Sequence, residues 1–311
     1  MKGSLSNYMK VGIVHFMAYP STIKGEGPVL ETITKIAEDD FFSAIEITQI
    51  KDSSVRKKVA DLLKSSHMEV GFGAQPLLLT TKLDINSADE EERQKAIAQI
   101  KMGVDQAYDV GASRLAFLSG KDPGDAGRAQ ATERLIDSIK QICAYAKSKG
   151  DLAITLETFD RNIEKMALVG PSVEAAKIAE IIKADYPDFG LMIDLSHLPQ
   201  LGETSAESLN ATKDHIVHIH IGNCVVKDKS HPAYGDKHPR FGIEGGENDV
   251  DELVDFLKAL FDVGYLGYGK DPLPIVAFEV QGVGDEKPEI VIANAKRTLL
   301  EAWAKLDIKC C

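Results

Sequence analysis

Short, nearly continuous apolar runs alternate along this chain with longer stretches in which apolar residues recur every three to four positions. The runs are KVGIVHFMA from Lys10, SAIEITQI from Ser43, EVGFGAQ from Glu69 and SRLAFLSG from Ser113. Four more follow: LAITLETF from Leu152, FGLMIDLSH from Phe189, HIVHIHIGN from His215 and PIVAFEV from Pro274. Runs of this kind, rich in β-branched residues and apolar on both faces, predict strands buried in a parallel sheet. The stretches between them, 28–39, 53–66, 89–111, 126–149, 172–184, 249–262 and 286–305, predict amphipathic helices, with a weaker one at 203–213. Ser-Ala-Asp-Glu-Glu at 87–91 and Asp-Pro-Gly-Asp at 122–125 read as helix entries, and Gly111, Gly150 and Gly264 as stops.

Eight strands in alternation with about eight helices predict a closed α/β architecture, a (β/α)8 TIM barrel, and 311 residues is an ordinary length for one. No GxGxxG follows the first strand, which argues against an open dinucleotide-binding sheet. The expected organisation is an extension at 1–9, loose or starting anew at Met9, and a single barrel over 10–306. One long loop interrupts it after the seventh strand, at about 224–248. It carries His231, Tyr234, Asp236, His238, Arg240 and Glu244, and loops of this length usually carry function.

Composition narrows the setting. Hydrophobic residues make up 44 %, enough for a sizeable core. The net charge of -12, with no dense basic stripe, argues against gripping a nucleic acid backbone. No apolar run approaches a membrane span, and the first ten residues lack a signal-peptide core. Cys143, Cys224, Cys310 and Cys311 form no metal or disulfide spacing, so free thiols and a cytoplasmic location are expected. The vicinal pair reads as a tail.

In a barrel, chemistry sits at the C-terminal ends of the strands. The fifth strand ends with Glu157, the sixth with Asp194 and His197, the seventh offers His218 and His220, and the eighth Glu279. A carboxylate inside an apolar run is costly unless it is paired or bound to a metal. None of the four strands supplies a basic partner. One divalent cation shared by Glu157, Asp194, His220 and Glu279 satisfies all of them. Three carboxylates and one imidazole are a mostly hard set, which favours Mn²⁺, with Mg²⁺, Co²⁺ or Zn²⁺ as substitutes. His218 shares the parity of His220 and reads as a neighbour behind the ligand or a core histidine. His15, Glu46 and Gln75 lie on strands facing the same cavity and are candidates for touching substrate, Glu46 equally for a structural hydrogen bond. Lys237, His238 and Arg240 form a cluster that is either a solvated loop face or an anion site. Tyr234 would close over substrate if the long loop is a lid, and Trp303 reads as packing.

Taken together, LETFD at 156–160, DLSH at 194–197, HIHIGN at 218–223, DKHPRFGIEGG at 236–246 and FEV at 278–280 resemble the xylose-isomerase-like barrel superfamily. It includes sugar epimerases of the tagatose/psicose type and AP endonuclease family 2. The resemblance implies that Glu157, Asp194, His220 and Glu279 hold one metal and that Glu157 and Glu279 are also the catalytic acid/base pair. It further implies that His197 hydrogen-bonds a sugar-like substrate, and that the protein is a homo-oligomer, dimer or tetramer. The epimerases carry an Arg shortly after their HxH; here GNCVVKDK has none, and Arg240 or Lys227 would have to stand in. The DKH at 236–238 is similar to the nuclease branch, where His197, Asp236 and His238 would hold a second metal. That branch also needs histidines on strands three and four, and GFGAQP and AFLSG lack them. The function implied is metal-dependent isomerisation or epimerisation of a keto sugar or sugar derivative through an enediolate. A metal-dependent lyase or decarboxylase acting on a sugar acid is the alternative. A zinc phosphodiesterase and a sugar binder without turnover rank below both.

Overall fold

The computed structural model describes residues 3–307. Its eight strands are β1 (Lys10–Ile13), β2 (Ala44–Ile47), β3 (Glu69–Gly73), β4 (Arg114–Leu118), β5 (Ala153–Glu157), β6 (Gly190–Asp194), β7 (Ile216–Ile221) and β8 (Ile275–Phe278). From β2 to β8 each strand pairs in parallel with the next, and β1 pairs in parallel with β8. Between β1 and β2 the ring is drawn together by a bridge from Val14 to Glu46 and by the Ser43 amide donating to the Val11 carbonyl at 2.9 Å. The sheet is therefore a barrel, and helices fill every crossover, as parallel pairing requires.

The eight expected helices are all present, at Val29–Ala37, Ser53–Ser65, Glu90–Asp109, Asp125–Lys147, Ser172–Lys183, Ser205–Thr212, Val250–Asp262 and Pro288–Lys305. Each buries one stripe against the barrel. Ile97, Ile100 and Val104 do so on one helix, Leu253, Phe256, Leu257 and Leu260 on another. Asp89 caps its helix through the amides of Glu91 and Glu92. The entry at 122–125 works differently: Gly124 stands at the cap with no side-chain bond, and Asp122 instead accepts from the Gly124 amide. Gly111 and Gly264 adopt positive φ at helix ends; Gly150 does not. No helix of the described residues is long and apolar enough to cross a membrane.

Each strand is shorter than the apolar run that contains it. Past three of them one-turn helices begin, at His15, Gln75 and His197, two or three residues beyond the strand's end. Once past the rim the chain has no ladder partner, so it closes its hydrogen bonds locally. The expected loose extension is docked over residues 3–9. Tyr8 and Met9 are buried, and Tyr8 packs edge-on to Phe261 and against Trp303. Cys310 and Cys311 lie outside the described residues.

Candidate metal centre

Residues two apart on a strand share a face, so the register of the barrel decides what meets inside it. Asp194 pairs with His220, and His220 with Ala277. Glu279 follows β8 directly, its amide donating to the Ile221 carbonyl at 3.0 Å. Glu157 is the last residue of β5. Four adjacent strand ends thus aim Glu157, Asp194, His220 and Glu279 into one space, and their ligand atoms all lie within 4.8 Å of one another. His220 Nδ1 is 2.7 Å from Glu279 Oε2, 3.7 Å from Glu157 Oε1 and 4.0 Å from Asp194 Oδ2.

Two residues from the opposite half of the barrel hold this cluster from behind. Glu46 Oε1 accepts from His220 Nε2 at 2.8 Å and from His218 Nε2 at 2.7 Å. Gln75 Nε2 donates to Glu157 Oε2 at 2.7 Å. Gly71 makes room for the first contact, since a Cβ there would lie 2.8 Å from Glu46 Cγ. Glu46 fixes which nitrogen of His220 faces the cluster: Nε2 is taken, so Nδ1 points at the carboxylates. Carboxylates behind metal-bound histidines commonly set tautomer and orientation in this way. Glu46 and Gln75 were candidates for touching substrate, Glu46 equally for a structural hydrogen bond; in the structure each bonds a member of the cluster.

The electrostatics are those of too many carboxylates in too little water. Burial pushes the Asp194 carboxyl up. Burial alone would strip His220 of its proton, but the charges of Glu46 and Glu279 outweigh it and hold the imidazole well above its ordinary value. The protonated ring does part of a cation's work. Two oxygens are still left over: Glu157 Oε1 and Asp194 Oδ2 are buried with no hydrogen-bond partner. A buried polar oxygen without a partner costs about 1–3 kcal/mol, and more when it carries charge. These two flank His220 Nδ1, which is where a shared divalent cation would use them. The residues therefore fit a metal, and its binding would displace the proton from His220.

Above this cluster lies a second one. His197 Nδ1 donates to the Thr158 carbonyl at 2.7 Å, and its Nε2 meets Asp236 Oδ1 at 3.0 Å. His238 Nε2 meets the same oxygen at 2.9 Å, while its Nδ1 is 3.2 Å from Ser196 Oγ. His238 sits at φ 48°, a strained position for a side chain this large. Burial lowers both rings, but the charge of Asp236 raises His197 to about 10, and the charges of Glu279 and Asp236 raise His238 to about 9. The other oxygen of Asp236 accepts from Lys165 Nζ at 2.6 Å. Burial would raise Asp236, yet Lys165, His238 and His197 hold it well below the usual carboxylate range.

Lys165 was not among the candidates from sequence. It lies in the loop after β5, and Asp160 shapes that loop by accepting from the amides of Ile163, Glu164, Lys165 and Met166. Nothing in its local sequence marks it; only Asp160, five residues upstream, hints at a wound loop. Other candidates bond to groups outside the two clusters. His15 Nε2 bonds Thr32 Oγ1 at 2.7 Å and its ring packs on Tyr19. Arg240, the stand-in expected for the epimerases' arginine together with Lys227, pairs with Glu286 at 2.7 Å, and Lys227 pairs with Glu247 at 2.7 Å. Lys237 is exposed and pairs with Glu164 at 2.8 Å. Tyr234 is half-buried beside Val225.

Fold and site together define a (β/α)8 barrel with a buried acidic and histidine centre at the C-terminal ends of β5–β8. The chain belongs to the xylose isomerase-like TIM barrel family, whose profile matches residues 33–269. Its structure is similar to that of a D-tagatose 3-epimerase-like protein, with a TM-score of 0.70 at 18 % identity over 96 % of this chain and 100 % of that one. It is also similar to D-psicose 3-epimerase from Clostridium cellulolyticum H10, solved with D-tagatose, with a TM-score of 0.68 at 16 % identity over 96 % and 100 %. The IOLI protein, solved with a zinc atom bound, has a TM-score of 0.70 at 15 % identity over 97 % and 100 %. No curated protein matches the sequence.

Proposed function

We propose that this protein is a metal-dependent isomerase or epimerase of a keto sugar or sugar derivative, with Glu157 and Glu279 as its acid/base pair. The observation that carries this is the pair of orphaned oxygens, Glu157 Oε1 and Asp194 Oδ2, in a four-residue cluster on adjacent strand ends. The likeness in fold to a D-tagatose 3-epimerase-like protein and to a D-psicose 3-epimerase supports the reading.

Glu157, Asp194, Glu279 and His220 Nδ1 would hold the ion, with Mn²⁺ the best match to this donor set. When bound, a divalent cation supplies a Lewis acid that polarises a carbonyl and stabilises the charge of an enediolate. Glu157 is fixed by Gln75 and faces the dry interior, whereas Glu279 keeps 8 % of its surface exposed and stands nearer the mouth. One carboxylate removes the proton on the carbon beside the carbonyl. The other returns a proton to the opposite face, which inverts that carbon. Burial weakens the competition from water and so brings carboxylate and carbon acid closer in pKa. His197 lies within 4.0 Å of both Glu157 and Asp194 and would orient substrate hydroxyls once it exchanges its bond to Asp236. Cys143 and Cys224 are unpaired and buried, which suits a cytoplasmic setting.

The test is a proton-exchange screen. Protein loaded with Mn²⁺ in D₂O is incubated with ketoses, their phosphates and oxidised sugars, and followed by NMR. Deuterium at carbon together with a new isomer is expected for one class. Release of CO₂ from a sugar acid without exchange into recovered substrate would replace this reading with a decarboxylase.

A further inference from the structure

His197, Asp236 and His238 have almost everything a second metal site needs. The two Nε2 atoms converge on one carboxylate oxygen at 3.0 and 2.9 Å. The far nitrogens are engaged by the Thr158 carbonyl and Ser196 Oγ, the outer contacts that usually turn a histidine's other nitrogen toward a metal. All three side chains are buried. What does not fit is Lys165. Its ammonium sits 2.6 Å from the remaining oxygen of Asp236, on a side chain only 16 % exposed.

Lys165 is not there by chance of rotamer. Asp160 winds the loop that presents it. The next residue back, Glu164, clasps the opposite loop by accepting from the Asp236 amide at 2.9 Å and from Lys237 Nζ at 2.8 Å. Gly235, at φ 86°, allows this approach, because a Cβ there would collide with the Glu164 carboxylate. A cation bound to Asp236 would share a single carboxylate with a fixed ammonium in a low-dielectric site, where like charges repel strongly.

We propose that the Lys165 ammonium takes the place of a second metal ion at His197, Asp236 and His238, and that removing it turns these three side chains into a zinc site. The chain's loop after β5 then decides how many ions the barrel can carry. The proposal rests on the metal reading of the first cluster only for the absolute count. The gain caused by the substitution is independent of it.

The experiment counts zinc. Full-length wild type, Lys165→Met, Lys165→Arg and Lys165→Met/Asp236→Asn are dialysed against Zn²⁺ alone, and bound zinc per chain is measured by atomic emission. Circular dichroism is recorded on each. The expected counts are one for wild type and for Lys165→Arg, two for Lys165→Met, and one again for the double variant. The melting temperature of Lys165→Met should also rise more with Zn²⁺ than that of wild type. If Lys165→Met fails to fold, Lys165→Gln carries the same comparison, since it keeps a neutral donor for Asp236. A single-variant count equal to wild type overturns the proposal, as does a wild type that already binds two. A wild-type count of zero with one ion gained by the variant sinks the metal reading of the first cluster and leaves this inference standing.

Discussion

The two halves of the barrel differ in what they place at its mouth. At or next to the ends of strands β5–β8 stand Glu157, Asp194, His220 and Glu279, all buried and all aimed at one space. Strands β1–β4 end in Ile13, Ile47, Gly73 and Leu118, which are apolar or bare. The first half still takes part: Glu46 grips His220 and Gln75 grips Glu157 from across the barrel. One half presents the reactive groups and the other orients them. A carboxylate in the presenting half has an oxygen to spare, whereas in the orienting half Glu46 spends one oxygen on two imidazoles.

The largest effect that separates the halves is on chemistry. Glu157→Gln and Glu279→Gln each keep the shape of the site and remove one proton carrier. Proton exchange into substrate should fall by about 10²–10⁴-fold in either variant, with an unchanged circular dichroism spectrum. Near-wild-type exchange in one of them would remove that residue from the acid/base pair. A smaller effect is expected behind the cluster. Glu46→Gln weakens the grip on His220 without touching a reacting atom, so Mn²⁺ affinity should drop by roughly 10–100-fold, measured by titration calorimetry. At saturating Mn²⁺ the exchange rate should largely recover. A rate that stays low would put Glu46 in the chemistry.

The smallest effect is on stability alone. Burial pushes His15 down to about 3, while the unfolded chain titrates near 6.5. Between those values the unfolded state holds a proton that the folded state refuses. Stability is therefore full above about 6.5 and is lost as the pH falls toward 3, by on the order of a few kcal/mol. His15→Gln keeps a donor for Thr32 and should flatten this decline in denaturant titrations at pH 7 and pH 5. An unchanged slope would show that His15 is protonated in the fold.

Much of this division was legible in the sequence, because carboxylates and histidines interrupt four successive apolar runs whose strand character is otherwise plain. The cluster follows from strand parity and barrel closure, with no need for exact boundaries. What could not be read is whatever depends on contacts across the barrel or between loops. His15, Gln75 and His197 sit in apolar runs that continue past the rim, so period alone could not tell strand from one-turn helix. Arg240 and Glu286 are distant in sequence, and their pairing is set by loop packing. Lys165 is hidden for the same reason: its partner Asp236 lies in another loop, beyond β7.

The central claim is that Glu157, Asp194, His220 and Glu279 form one metal-dependent proton-transfer centre. The most direct measurement strips the protein with a chelator and titrates Mn²⁺ back in D₂O with the substrate identified by the exchange screen, recording bound ion and exchange rate on the same samples. The account predicts no exchange in the stripped protein and a rate that rises in proportion to bound Mn²⁺, levelling at one ion per chain. A stripped protein, verified free of metal, that exchanges at the full rate would contradict it.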